Sequence, residues 1–528
     1  MSTLVDVYLS HRFAWRPVDA TFMGADGHDH RLPPVGVDCI ETELAEIDAL
    51  LEGIDTHPDA HPHDRQMIRA ELTCERAALK FRPRQKNPAW ATGEVGFGII
   101  SLLLPQSAPW RGDAIAARLA AIPCFLTETR ALIGEGPVPA GWAERAGIEA
   151  SAMSLFLRED ICRHEAWRDA WASPAATAAD ALTAFADSLA GLPDADPACG
   201  KDHLNLLLRE MHMLDGTADD MMQGARSAFD RCARELEELA QEIDPKTTWQ
   251  DQIAALSSDH PAHTDDVPAT YRHWDATARD AAEAHDLVTP ERDYQLDYRS
   301  FPKCFQRVAK DMYFLFYRSP PALNPGQGSV YWIMPSADLA AHNTSMVKAI
   351  HAVHHGSVGH HTQNARARAA GAKMGRIAAT DCSMGLAFQG ALTLVEGWAC
   401  HVEDLMMEAE GFYSPAEKLL LKSFERRNAA SVLVDLGLHT TVWTQAECER
   451  FYAEDAGFAP ARVHGEVIRN SIFPTSRATY WLGVEGIRAL RRRWTGSTRD
   501  FHDRLLSFGH VPLRIVEAEM VAANELTD

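Results

Sequence analysis

The residues best suited to chemistry gather in one stretch. "HAVHHGSVGHHTQ", His351 to Gln363, holds five histidines in thirteen residues. Neutral imidazole binds zinc and neighbouring divalent metals, and catalytic zinc commonly has three protein ligands and an open position. His351 and His355 are four apart, about 400° of helical rotation, so they share a face. His354 and His361 are seven apart and nearly eclipsed. His354 and His360 are six apart, about 240° around a helix. They can chelate together only if the helix bends between them, and Gly356 and Gly359 permit a bend. Spacing alone leaves the pair open, and it also leaves open a cluster of capping or hydrogen-bonding histidines.

A carboxylate ligand is available further on, in "LTLVEGWACHVEDLMMEAEGFY". Glu396 interrupts an apolar helical pattern between Val395 and Trp398, and burying an ionised carboxylate is costly unless something pairs with it. Glu403, seven residues on, falls on the same face. One glutamate can bind a metal while the other orients a histidine; the alternative is two salt-bridged glutamates in a helical core. Cys400, four residues after Glu396, either packs or joins the ligands.

The elements that must position these residues read as helices. "ETELAEIDALLEGID" sets Leu44, Ile47, Leu51 and Ile54 in one apolar stripe, and "AFDRCARELEELAQEI" does the same with Phe229, Cys232, Leu236, Leu239 and Ile243 before Asp244-Pro245 ends it. Ser414-Pro-Ala-Glu417 and Thr444-Gln-Ala-Glu447 are capping boxes that start two more helices. One strand is predicted over "SVYWIMP", Ser329 to Pro335. The expected fold is mainly α, with one short strand or small sheet near the site.

Bulk composition narrows the function. With 528 residues, 46% of them apolar, the chain can bury a large core. A formal charge of −23 argues against nucleic acid and anionic membranes as partners. No window is long and apolar enough for a signal peptide or a membrane span, so a cytoplasmic location is expected. The ten cysteines lie far apart with no C-x-x-C pair, and they read as free thiols. Oligomeric state leaves no mark in the sequence.

The two site segments resemble a bacterial family, domain-of-unknown-function family 885, whose pattern runs H-E-x-x-P-G-H-x-x-Q and then E-G-W-A-x-Y-A-E. Here these read "HHGSVGHHTQ" and "EGWACHVE". "WRPVDATFMGADGHDHRLP", "LVDLGLHTTVWT", "PTSRATYWLG" and "FHDRLLSFGHVPLRIVEAE" resemble further parts of the family, so the likeness spans about Val7 to Glu519. It implies a single large helical domain, residues 1–528, with a helical half at about 1–300, a metal-site half at about 301–528, and a deep cleft like that of helical metallopeptidases. It implies His354, His360 and Glu396 as metal ligands, and it is the resemblance that prefers His360 to His361. Glu403 becomes the acid behind a ligand. His439 and Asp435 match a D-x-G-L-H motif, and Tyr480 matches a motif tyrosine, which implies contacts with substrate or transition state. Arg477 and Arg469 lie near enough in sequence to clamp a substrate carboxylate.

The departures from the pattern bear on mechanism. Where the family has the glutamate that serves as general base, this chain has His355. Val358 replaces a proline, Thr475 and Ser476 replace glycine and glutamine, and His401 replaces a tyrosine. Three functions follow as expectations. In the first, His355 acts as base in a metal-dependent hydrolase of an amide or ester bond in a small molecule or short peptide. In the second, His355 or His401 adds to the site of a biosynthetic, non-hydrolytic metalloenzyme: a lyase, a cyclase or a non-haem iron oxidase. In the third, the chain is an inactive relative that binds a ligand. The expected cofactor is a divalent metal, zinc first, with iron or manganese as alternatives.

Overall fold

The computed structural model describes residues 3–104, 109–294, 296–312, 317–324 and 328–527. Helices dominate, as expected, and strands are few and short. The chain divides into two compact units, each assembled from separated segments: residues 1–197, 301–327 and 380–387 form one, and residues 198–300, 328–379 and 388–528 the other. Packing partners are remote in sequence, so residues 198–300 are built into the unit that carries the histidines.

The first unit is organised around α1 (Pro88–Leu103), in which every residue is buried. Asn87 starts it with a side-chain cap on the Ala89 amide, and Pro88 fits the first turn. Helices α2 (Gly112–Ile133) and α3 (Ala140–Leu155) pack on α1, and α4 (Ala172–Ser188) packs on both of those. A buried ion group lies beside this core. Arg12 reaches Asp19 at 2.8 Å and Glu71 at 3.2 Å, and Ser383 donates to Glu94 at 2.6 Å.

The second unit holds α5 (Ala218–Ile243), α6 (Val267–Ala284), β1 (Leu296–Ser300), β2 (Ser329–Ile333), α7 (Val347–His354), α8 (His360–Ala367), α9 (Leu392–Leu405), α10 (Pro415–His439), α11 (Ala478–Arg493) and α12 (Thr498–Ser507). The stripe read for α5 buries Phe229, Cys232 and Leu236, while Ile243 at the helix end is exposed. Both capping boxes form, with Ser414 and Thr444 each accepting from the amide three residues on. The predicted strand is β2, which pairs in parallel with β1. Helices α9 and α11 meet backbone to backbone: a Cβ on Gly397 would stand 2.7 Å from the Cα of Gly483. That close approach explains the glycine that follows Glu396.

Candidate metal centre

The histidine segment bends where its glycines are. Helix α7 is wound with five-residue hydrogen bonds, and the His355 amide still donates to Ile350 O at 3.0 Å. Wide turns of this kind recur at functional sites. The chain then turns sharply, with Gly359 N donating to Gly356 O at 3.1 Å, and α8 starts at His360. No side chain fits in this turn. A Cβ on Gly359 would lie 1.9 Å from His354 O, and one on Gly356 would lie 2.2 Å from Ala352 O. Asp275 of α6 anchors the turn, accepting from the Ser357 amide and hydroxyl at 2.7 Å each. The turn carries His360 round to the side of His354, with ring centres 5.0 Å apart.

Each of these rings is oriented from behind. His354 Nδ1 donates to Glu403 Oε1 at 2.6 Å. Gln363 donates its amide to Leu394 O at 3.0 Å, which points its oxygen at His360 Nδ1, 3.3 Å away. Both imidazoles therefore present Nε2 to the same point, the tautomer that carboxylate or amide partners impose on metal-binding histidines. At that point stands Glu396 Oε2, 3.6 Å from His354 Nε2 and 3.7 Å from His360 Nε2. This oxygen is buried and has no hydrogen-bond partner among the described residues. The two separations are long for hydrogen bonds. They suit ligands of one ion, since donors about 2.1 Å from a tetrahedral zinc lie about 3.4 Å apart.

The local field favours a positive charge. Burial alone would raise the Glu396 carboxyl, but His354 and His360 outweigh it and hold it well below the usual carboxylate range. Burial would likewise lower His354, yet contacts with Cys400, Glu396 and Glu403 keep it well above the ordinary histidine value. His355 lies beside the set, its ring 4.6 Å from that of His354 and 5.5 Å from that of His360. One ligand atom from each of these three histidines falls within 4.8 Å of the others. The Nδ1 of His355 is buried without a hydrogen-bond partner among the described residues, and burial together with the neighbouring imidazoles drives its pKa well down. Tyr480, near the start of α11, is pushed up to about 12 by burial and by the charge of Glu396.

Other expected residues take other roles. His361 turns away: Nε2 donates to Tyr294 O at 2.7 Å and the ring stacks on Tyr294. His401 faces His502, with Nε2 to Nε2 at 3.0 Å, and the metal-donor clusters do not include it. His439 is fully enclosed. Its Nδ1 accepts from the Cys199 amide at 3.2 Å and its Nε2 donates to Asn470 O at 2.9 Å, so both ring nitrogens are engaged by backbone. Asp435 accepts the amides of Thr475, Arg477 and Ala478 at 3.0 Å each, which fixes the start of α11 and hence Tyr480. Arg477 is held by Glu466 at 2.6 Å and lies over the Tyr480 ring, so it braces the tyrosine rather than standing free as a clamp.

Two contributors were not anticipated. Gln363 closes the histidine motif, and its place three residues after His360 on a helix was the available signal. His510 is buried close enough to His360 for their charges to interact, and burial holds it neutral, down to about 3. Nothing local in the sequence marks it, because 150 residues separate the pair.

The fold is shared with solved structures. One, described as "a putative lipoprotein of unknown function from Shewanella oneidensis", aligns with a TM-score of 0.77 at 18% identity over 99% of this chain and 100% of that one. A second, "the putative lipoprotein from Colwellia psychrerythraea", gives 0.76 at 16% identity over 98% of each chain. Both neighbours are described as lipoproteins, a finding that counts against the cytoplasmic expectation. No helix among the described residues is long and apolar enough to cross a membrane. No curated protein matches the chain. The model of one family, bacterial proteins of unknown function (DUF885), matches residues 17–520, and the chain belongs to that family.

Proposed function

We propose that this protein is a metal-dependent hydrolase that cleaves an amide or ester bond in a small molecule or short peptide. The observation that carries this reading is the unpartnered Glu396 Oε2, 3.6 and 3.7 Å from two imidazole nitrogens whose far sides are held by Glu403 and Gln363. His354, His360 and Glu396 would hold a divalent cation, zinc first by donor type, with iron or manganese as alternatives. When bound, such a cation polarises a carbonyl and acidifies water. His355 takes the place of the glutamate base in the helical metallopeptidases that the motifs resemble: its neutral imidazole accepts the proton of the attacking water and returns it to the leaving group. Tyr480, protonated at neutral pH, donates a hydrogen bond to the developing oxyanion. Glu403 and Gln363 keep both ligand rings aimed, and Asp435 keeps Tyr480 in place. With a charge of −23, the chain suits a small substrate rather than a nucleic acid.

A second reading is favoured by the mutual approach of the three imidazoles. If His355 is itself a ligand, the centre has no base and belongs to a non-hydrolytic metalloenzyme. Elemental analysis of protein purified without added metal separates these readings. The hydrolase reading expects one equivalent of metal in the wild type, its loss in Glu396→Gln and His360→Ala, and its retention in His355→Gln. Turnover of acyl and peptide substrates by His355→Gln should fall by about 10²- to 10⁴-fold. Loss of metal in His355→Gln moves the assignment to the second reading. Equal trace metal in wild type and Glu396→Gln removes both.

A further inference from the structure

His354 also belongs to a second donor set. A nitrogen of His354, the Cys400 thiol and a carboxylate oxygen of Glu403 lie within 4.8 Å of one another. All three residues are buried, at 7%, 6% and 5% exposure. Their convergence follows from helix geometry: Cys400 and Glu403 are three apart on one face of α9, and α9 packs against α7, where His354 ends the helix. Asn428 of α10 approaches the sulfur at 3.6 Å. The only other cysteine-containing donor group among the described residues is Cys232 with Glu235 and Glu425. That one already holds a cation, because Lys422 reaches Glu235 at 2.8 Å and Glu425 at 2.7 Å. The Cys400 group has no lysine or arginine within it.

We propose that His354, Cys400 and Glu403 form a second cation site, selective for thiophilic metals, that shares His354 with the first. Sulfur is what distinguishes the two sets. Imidazole and carboxylate accept zinc, iron or manganese alike, whereas a thiolate favours softer cations such as Cd²⁺ or Cu⁺. Binding breaks the S–H bond of Cys400, whose proton passes to solvent, and the N–H bond that His354 directs at Glu403, whose proton moves to Nε2 and faces Glu396. Bonds form from the cation to sulfur, nitrogen and oxygen, and no electron moves. The cation thus replaces the hydrogen bond that aims His354, so a thiophilic metal bound here disturbs the neighbouring centre. The site stands on its own donors and does not require the His354–His360–Glu396 set to be filled.

The test uses the full chain, stripped with a chelator, reduced, and titrated with Cd²⁺. Thiolate-to-cadmium charge-transfer absorption is recorded together with proton release in weak buffer. Wild type and His360→Ala should both develop one equivalent of the band, and Cys400→Ser should lack it. Wild type should release one proton per cation bound at this site, and Glu403→Gln should bind at least tenfold more weakly. A band of equal amplitude in Cys400→Ser, or none in the wild type, overturns the proposal. A band that persists in His360→Ala while zinc content is lost there supports both sites. A persistent band in protein whose zinc content never depended on His360 sinks only the hydrolase reading.

Discussion

At the scale of single residues, the proposed centre is made as much by what stands behind its donors as by the donors. Glu403 and Gln363 occupy the Nδ1 atoms of His354 and His360 and so commit both Nε2 atoms to Glu396. Partners of this kind are typically worth 10- to 100-fold in metal affinity. Glu403→Ala should therefore weaken zinc binding by about that factor, measured by competition with a chromophoric chelator. Unchanged affinity would mean that the ring is aimed by packing alone.

At the scale of elements, two devices hold the donors together. The first is the side-chain-free turn between α7 and α8. Gly359→Ala forces a methyl against the His354 carbonyl at a distance no real contact tolerates, so the turn must open and His360 must move. The expected result is a loss of about 1–3 kcal/mol of stability with loss of bound metal, read by denaturant melts and elemental analysis. An undisturbed, metal-loaded variant would show that the bend is not needed for convergence. The second device is the Asp435 cap on α11. Asp435→Ala strands two buried amides, each worth about 1–3 kcal/mol when left unsatisfied, and a third that is partly buried, and should loosen Tyr480 as well as destabilise the fold.

At the scale of the whole molecule, stability should depend on pH through histidines buried in the neutral form. Burial holds His212 and His502 down to about 4 each. Their unfolded values lie near 6.5, so below that pH the unfolded chain binds protons that the folded one refuses. Stability is thus present above about pH 6.5 and is lost as pH falls toward 4, on the order of 3 kcal/mol per histidine. Glu425 extends the acid limb. Burial raises it, but Arg488 and Lys422 outweigh burial and bring it to about 2, so its contribution is present above about 4.5 and disappears as pH drops toward 2. Urea melts at pH 7.5, 5.5 and 4.5 should show stability falling less steeply with pH in His212→Gln than in the wild type. Identical slopes in the two proteins would mean that this histidine titrates normally in the folded state.

By itself the sequence determined the donor types, the helices that carry them and the place where the chain must bend. These depend on local properties: apolar periodicity along α5, capping boxes at Ser414 and Thr444, and glycines at 356 and 359 that spare the turn a side chain. The tertiary structure decided where each ring points, because ring orientation is set by partners remote along the chain. His360 presents Nε2 to Glu396 because Gln363 is tied to Leu394, and His361 turns away because Tyr294 offers its carbonyl. His439 is engaged by the Cys199 amide, 240 residues away, and His401 by His502. Spacing tells which residues share a helical face. It carries no information about which distant hydrogen-bonding group will meet that face, and for an imidazole with two different nitrogens that meeting decides whether it holds a metal, braces the fold or turns away.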